Sequence, residues 1–222
     1  MADHISAMKV ELHLHTSRYS PCARRTPGEM MARLIETGYQ AVYLTEHDAV
    51  WRADELAALR AAFPEIRIFP GVELTLAAED MHHLLVLGTN DPAYLALKQD
   101  TEILAAARAR GHLTVLAHPI RMLRGAAMLE AGHLPDALEQ RTGNHGPYRA
   151  AVTRRMAEPL GLPLVNAGDA HDLDDVDLYW IETHRPIEQA RDIRDIVLAG
   201  AYEQHVREPR PARAAWSFLR PG

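Results

Sequence analysis

Short apolar runs alternate with longer stretches of helical period from residue 9 to residue 199. Strand-like runs fall at 9–16, 40–48, 66–74, 83–89, 112–119 and 162–171, with a weaker one at 177–183. Helical patterns fall between them at 27–37, 53–62, 92–110, 148–160 and 187–199. Thr26-Pro27-Gly28-Glu29 combines a capping hydroxyl, a proline at the first helical position and a glutamate three residues on, which predicts a capping box. Gly38, Gly111, Gly161 and Gly200 each follow a helical run, where a left-handed residue ends a helix. Alternation of strand and helix predicts an α/β fold with parallel strands and crossover helices. Seven or so such units can close into a barrel; an open doubly wound sheet is the competing architecture.

The strand-like runs end in a consistent way. Each apolar body is followed by a residue able to bind metal: His13 and His15, then His47, Glu73, His118, and finally Asp169 with His171. In an α/β barrel the C-terminal strand ends share one face, so these side chains converge there. In Val10-Glu11-Leu12-His13-Leu14-His15, strand period 2 places Val10, Leu12 and Leu14 on one face and Glu11, His13 and His15 on the other. Two imidazoles at that spacing can share one ion, and Gly168-Asp169-Ala170-His171 repeats the spacing with a carboxylate and an imidazole. Any one of these residues has an ordinary explanation as a surface or hydrogen-bonded side chain; five strand ends together do not. The mixed imidazole and carboxylate set suits zinc, manganese or iron.

Composition narrows the picture. A chain of 222 residues that is 47% hydrophobic is enough for one well-buried domain. Net charge is -6, which disfavours a long nucleic acid held by a basic face. Cys22 is the single cysteine, so no intrachain disulfide is available and a reducing cytoplasm is the expected compartment. No apolar run approaches the roughly 18 residues that span a bilayer. The start, MADHISAMKV, lacks the apolar core of a signal peptide. Residues 1–7 read as a short leader, 8–205 as the folded domain and 206–222 as a tail rich in Pro, Arg and Ala.

In order and spacing the segments resemble the PHP (polymerase and histidinol phosphatase) family of metal-dependent phosphoesterases. The motifs are His13-Leu14-His15-Thr16, Thr45-Glu46-His47-Asp48, Pro70-Gly71-Val72-Glu73, His83-Leu84-Leu85, Leu116-Ala117-His118-Pro119 and Gly168-Asp169-Ala170-His171. The resemblance implies a distorted (β/α)7 TIM-like barrel with two or three divalent ions at its mouth. It implies metal ligands at His13, His15, His47, Glu73, His83, His118, Asp169 and His171. His83 enters through the resemblance alone, with His82 beside it as the rival. Many family members carry an aspartate or histidine soon after the first motif that contributes to the site; here Ser17-Arg18-Tyr19-Ser20-Pro21-Cys22 has no carboxylate. Either the site holds one ligand fewer, or water or Cys22 fills the gap.

Such a site supports hydrolysis of a phosphate ester by metal-activated water, with no protein nucleophile. The catalytic candidates are Glu73 as a bridging carboxylate, Asp169 and His171. Glu46 and Asp48 flank His47 and are candidates to hydrogen-bond an imidazole. Arg18, Arg121 and His145 are the candidates for binding substrate phosphate, with Arg149 behind them. The polar stretch from Gly132 to Arg149 reads as a loop over the site. The leading function is a phosphoesterase acting on a small phosphorylated substrate; its competitors are a C–N hydrolase of amidohydrolase type and a non-catalytic metal-binding module.

Overall fold

The structure, a computed structural model, describes residues 7–76, 82–121, 126–143 and 145–207. Among these, nine strands form one curved sheet: β1 (Met8–Leu14), β2 (Ala41–Leu44), β3 (Arg67–Leu76), β4 (His82–Leu87), β5 (Leu113–Ala117), β6 (Ala137–Arg141), β7 (Leu164–Asn166), β8 (Tyr179–Thr183) and β9 (Tyr202–Val206). Six α-helices accompany them: α1 (Pro27–Glu36), α2 (Ala53–Ala62), α3 (Asp100–Arg110), α4 (Ala127–Glu130), α5 (Pro147–Ala157) and α6 (Asp192–Leu198). Strand order is β7-β6-β5-β4-β3-β2-β1-β8-β9. The two ends of the sheet approach each other, where Asn166 donates to His205 O at 3.0 Å and Tyr202 donates to Leu164 O at 2.7 Å. The fold is a nearly closed, distorted TIM-like barrel.

Three expectations change. First, the strands are not uniformly parallel: β3–β4, β4–β5, β1–β8 and β8–β9 are antiparallel. The link from β3 to β4 covers only residues 77–81, too short for the crossover that a parallel pair needs. Second, β6 lies inside the stretch read as a loop, and β9 continues through Val206 into the stretch read as a tail. Third, the helix expected at 92–110 is broken into a 3-10 turn, Pro92–Ala96, and α3. The tail beyond residue 207 and the leader up to residue 6 lie outside the described residues.

Local signals work as read. Thr26 caps α1 by accepting from Glu29 N, and Glu29 Oε2 accepts from Thr26 N at 2.8 Å. Gly38, Gly111, Gly161 and Gly200 all take positive φ. Three apolar clusters hold the layers. Val10, Leu12, Tyr43, Leu85, Val115, Ala137 and Val165 pack together on the inner strand faces with Ile193 and Ile196 of α6. Met30, Leu34 and Leu56 of α1 and α2 cover Val42, Leu44 and Ile68; Ile103 and Met128 of α3 and α4 cover Leu74, Leu84 and Leu116.

One detail of β1 departs from strict alternation. Val10 and Leu12 pack in the inner cluster, whereas Leu14 packs outward with α1. The register with β2 shifts between Glu11 and Leu14, a β-bulge that moves the face by one residue. His13 and His15 still point the same way, but Glu11 does not join them on that face.

Candidate metal centre

Strand ends deliver the expected residues to one place. His13 lies at the end of β1 and His15 just follows the strand. Glu73 and His83 are diagonal neighbours on one face of the β3–β4 ladder, where Glu73 pairs with Leu85 and His83 with Thr75. His47 pairs with Glu73 as an isolated parallel bridge, and Ala170 does the same with Leu14. That second bridge carries Asp169 and His171 to the end of β1, with His15 N donating to Ala170 O at 3.0 Å. His118 and Asp169 adopt φ of 29° and 51°, and Asp48 one of 47°, on the left-handed side that non-glycine residues avoid. Three of the four such residues among those described therefore lie in or beside the cluster, where strain is held by the surrounding fold.

Glu73 is the centre of the geometry and is fully buried. Its Oε1 lies 2.7 Å from His83 Nδ1 and 3.2 Å from His118 Nε2. Its Oε2 lies 3.1 Å from His13 Nε2, 3.1 Å from His15 Nε2 and 3.0 Å from His47 Nδ1. Asp169 Oδ1 stands 3.4 Å from both His13 and His15. Four triads have ligand atoms all within 4.8 Å of one another: His13-His15-Glu73, His47-Glu73-His83, His13-His118-Asp169 and His15-His47-His171. Five of the six histidines in these triads face Glu73 at the distances above. His171 joins through Asp169, its Nδ1 3.6 Å from Asp169 Oδ1, and through ring contact with His15, 4.3 Å between centroids. Period 2 on β4 turns His83 to this centre and leaves His82 on the other face, buried opposite Leu76.

The electrostatics ask for cations. Burial disfavours charge on Glu73, yet the facing His13, His118 and His15 rings hold its carboxyl well below the ordinary range. Burial likewise opposes ionisation of Asp169, and the charge of His13 with the His15 hydrogen bond lowers it. Burial works against the charged forms of His13 and His15, but the carboxylates of Glu73 and Asp169 raise both. His13 Nε2 and His15 Nε2 are 3.0 Å apart, a separation that two ring nitrogens hold only with a proton or another cation between them. The donor set thus fits divalent metal: deprotonated carboxylates and inward imidazole nitrogens around one point.

Support behind the ligands differs from expectation. Glu46 does not touch His47's ring; its Oε2 accepts from Ser20 Oγ at 2.6 Å, and Ser20 Oγ meets His15 Nδ1 at 3.3 Å and accepts from His47 N at 3.1 Å. Asp48 accepts from Thr75 N instead of an imidazole. Two buried carboxylates that were not site candidates, Glu139 and Glu11, also reach residues of this cluster. Glu139 Oε1 lies 2.9 Å from His13 Nδ1 and its Oε2 accepts from His118 N at 2.8 Å. Glu11 Oε1 accepts from His13 N and Gly168 N at 3.0 and 2.7 Å; burial pushes its pKa up to about 7. Glu11 lies two residues before the first motif, inside β1, and is fully buried. Glu139 lies in a segment whose polarity reads as loop, and the only signal for it is Ala137-Leu138 ahead of it.

The substrate-side candidates separate. Arg121 lines a cleft of about 460 Å³ beside Asp169, His171, Cys22 and Arg24, with Nη1 4.0 Å from Asp169 Oδ2. Arg18 is instead paired with Glu55 of α2, which also takes the Tyr19 hydroxyl. His145 is fully buried and both ring nitrogens are committed, Nε2 accepting from Ile120 N at 3.1 Å and Nδ1 donating to Gln140 O at 3.2 Å. It braces the loop after His118 and is not available to substrate. Arg149 is exposed on α5 and does not line the cleft. Cys22 belongs to none of the four triads, and its thiol pKa is raised by partial burial and then by Glu73, Asp169 and Glu46.

The PHP domain profile matches residues 11–149, more than half of the 222 residues. The chain belongs to the PHP domain family. A comparison with curated protein sequences finds no match. Among solved structures, a two-domain protein from Bacteroides vulgatus with a predicted PHP-like metal-dependent phosphoesterase is similar, with TM-score 0.68 and 17% identity. The alignment covers 92% of this chain and 66% of that one. An amidohydrolase from Chromobacterium violaceum has TM-score 0.63 and 16% identity, covering 88% of this chain and 97% of that one. A lesion-specific endonuclease from Pyrococcus furiosus has TM-score 0.62 and 12% identity, covering 90% and 58%. At these identities the likeness is one of fold. Among the described residues no helix is long and apolar enough to cross a membrane.

Proposed function

We propose that this PHP-domain chain is a metal-dependent phosphoesterase acting on a small phosphate ester, a phosphomonoester or a short nucleotide. The observation that carries the reading is the buried Glu73, whose two oxygens face two different groups of imidazoles. Glu73 and the imidazoles around it would together hold divalent cations. We assign His13, His15, His47, Glu73, His83, His118, Asp169 and His171 as the ligands of two or three divalent ions of the zinc, manganese or iron kind. Ions bound there supply Lewis acidity and lower the pKa of water.

The chain's own groups do the remaining work. Arg121 on the cleft wall donates guanidinium N–H groups to phosphate oxygens, in the fork geometry that suits them. Asp169, kept ionised, accepts a hydrogen bond from the attacking water at Oδ2, the oxygen turned toward Arg121. His171 donates Nδ1–H to Asp169 O at 2.9 Å, so its Nε2 offers a lone pair and suits ligation better than proton delivery to a leaving group. The family membership and the phosphoesterase named among the structural neighbours support the phosphate-ester reading.

The names amidohydrolase and endonuclease among the neighbours define the other arms of the test. Full-length protein stripped by a chelator is reloaded separately with Mn²⁺, Zn²⁺ or Fe²⁺ and given an aryl phosphate, a short 5′-phosphorylated oligonucleotide and a set of anilides. The expected result is phosphate release that disappears on chelation. Anilide turnover without phosphate release makes the protein a C–N hydrolase. Metal-dependent thermal stabilisation with no turnover at all makes it a binding module.

A further inference from the structure

Glu139 is fully buried, comes from β6, and touches two ligand-bearing segments at once. Its Oε1 meets His13 Nδ1 at 2.9 Å, and its Oε2 accepts from the backbone N–H of His118 at 2.8 Å. We propose that Glu139 is the positioning residue of the metal centre, setting the tautomer of His13 and the entry angle of His118 with one carboxylate. The inference rests on the metal-centre reading above, but not on the identity of the substrate.

The chemistry of the contact requires an acceptor at both oxygens. A carboxylate facing His13 Nδ1 draws the ring proton to that nitrogen, so Nε2 is left with its lone pair. Nε2 is the atom that faces Glu73 Oε2, His15 Nε2 and Asp169 Oδ1 at 3.1, 3.0 and 3.4 Å. A hydrogen-bonded carboxylate behind an imidazole also raises the basicity of the ligating nitrogen. At His118 the second oxygen holds the first N–H beyond β5, where the backbone turns to a φ of 29° before Pro119. That turn brings His118 Nε2 to 3.2 Å from Glu73 Oε1.

Glutamine has the same shape and only one acceptor. With its carbonyl toward His118 N–H, its amide N–H₂ faces His13 Nδ1 and drives the ring proton to Nε2, where it blocks ligation. With the carbonyl toward His13, the N–H₂ faces the His118 N–H, donor against donor. Neither orientation serves both partners. Aspartate keeps two acceptors but is one methylene short, so it restores the tautomer only in part.

The test measures metal affinity directly. Chelator-stripped wild type, E139Q and E139D are titrated with Zn²⁺ and Mn²⁺ against a chromophoric chelator. Outer partners of ligating histidines contribute roughly 10–100-fold in affinity, so E139Q is expected to bind that much more weakly, with E139D between it and wild type. E139Q binding within twofold of wild type overturns the proposal. A second measurement does not depend on E139Q folding: ¹⁵N-histidine spectra of Zn-loaded wild type, with His13 assigned by loss of its signal in H13N. Protonation of His13 at Nδ1 is expected, and protonation at Nε2 overturns the proposal. Tight metal binding without phosphate-ester turnover sinks the proposed function and leaves this inference to be decided by affinity and tautomer.

Discussion

β1 and β6 both end under the metal centre, and both are almost wholly buried. β1 supplies two imidazoles to the centre; β6 supplies the carboxylate behind one of them. β1 ends in a repeated residue type, His13 and His15, at a spacing that turns both rings the same way. The supporting strand carries one glutamate between Leu138 and Gln140, a pattern any edge of any domain could show. The residues of a candidate metal cluster advertise themselves in sequence because several of metal-competent type recur together. Supports do not, because each need only offer an acceptor at the right place.

The largest effect expected on the ligand side is that of Glu73→Ala. It removes the group that faces five imidazoles, and metal affinity should fall by more than the roughly 100-fold expected for loss of an outer partner. Titration calorimetry with Zn²⁺ checks it; a smaller loss than that of E139Q would invert the comparison between the two strands.

On the supporting side, Gly168→Ala should destabilise without touching a ligand atom. A Cβ there would lie 2.6 Å from Glu11 Oε2, so the Glu11 clamp between His13 N and Gly168 N must open. Overpacking of this kind costs about 1–3 kcal/mol, or roughly 5 °C of Tm in a chain of this size. A thermal melt with unchanged Tm would show that Glu11 moves aside freely.

Arg121 and Arg18 sharpen the line between centre and surroundings. Arg121→Ala should raise KM for an aryl phosphate by roughly tenfold, the scale of one charge-assisted hydrogen bond lost at a half-exposed site. Arg18→Ala, whose partner is Glu55, should change KM less than twofold. Equal effects would return Arg18 to the substrate side.

The smallest effect concerns His145. Burial lowers its pKa below the ordinary 6.5, so between its folded pKa and 6.5 the unfolded chain binds more protons at this site. Stability from this residue is therefore complete above 6.5 and declines as the pH falls through that interval. The Tm difference between wild type and His145→Gln should narrow as pH falls below 6.5. A difference that widens would mean that the ring is charged in the fold.

Much of the fold is legible from local pattern. The capping box at Thr26, α2 at 53–62 and the four left-handed glycines need only their neighbours in sequence. β6 and β9 were not legible: Glu139, Gln140 and Arg141 look solvated, as do Glu203, Gln204 and His205. β6 becomes a strand because β5 and β7 offer ladders on both sides, and Glu139 is buried because His13 and His118 satisfy it. His82 and His83 stand side by side in sequence, and only the β3–β4 register puts Glu73 and His83 on the same side. Likewise Arg18 and Arg121 are equal as residues, and the position of Glu55 on α2 separates them.

By itself the sequence determined which strand ends carry imidazoles and carboxylates, and in what order, because those residue types recur after successive apolar runs. The tertiary structure decided which strands run antiparallel, where β1 bulges, which oxygens of Glu73 face which rings, and that Glu139 stands behind His13. Those depend on contacts between residues as far apart as His13 and Glu139, which no local pattern along the chain records.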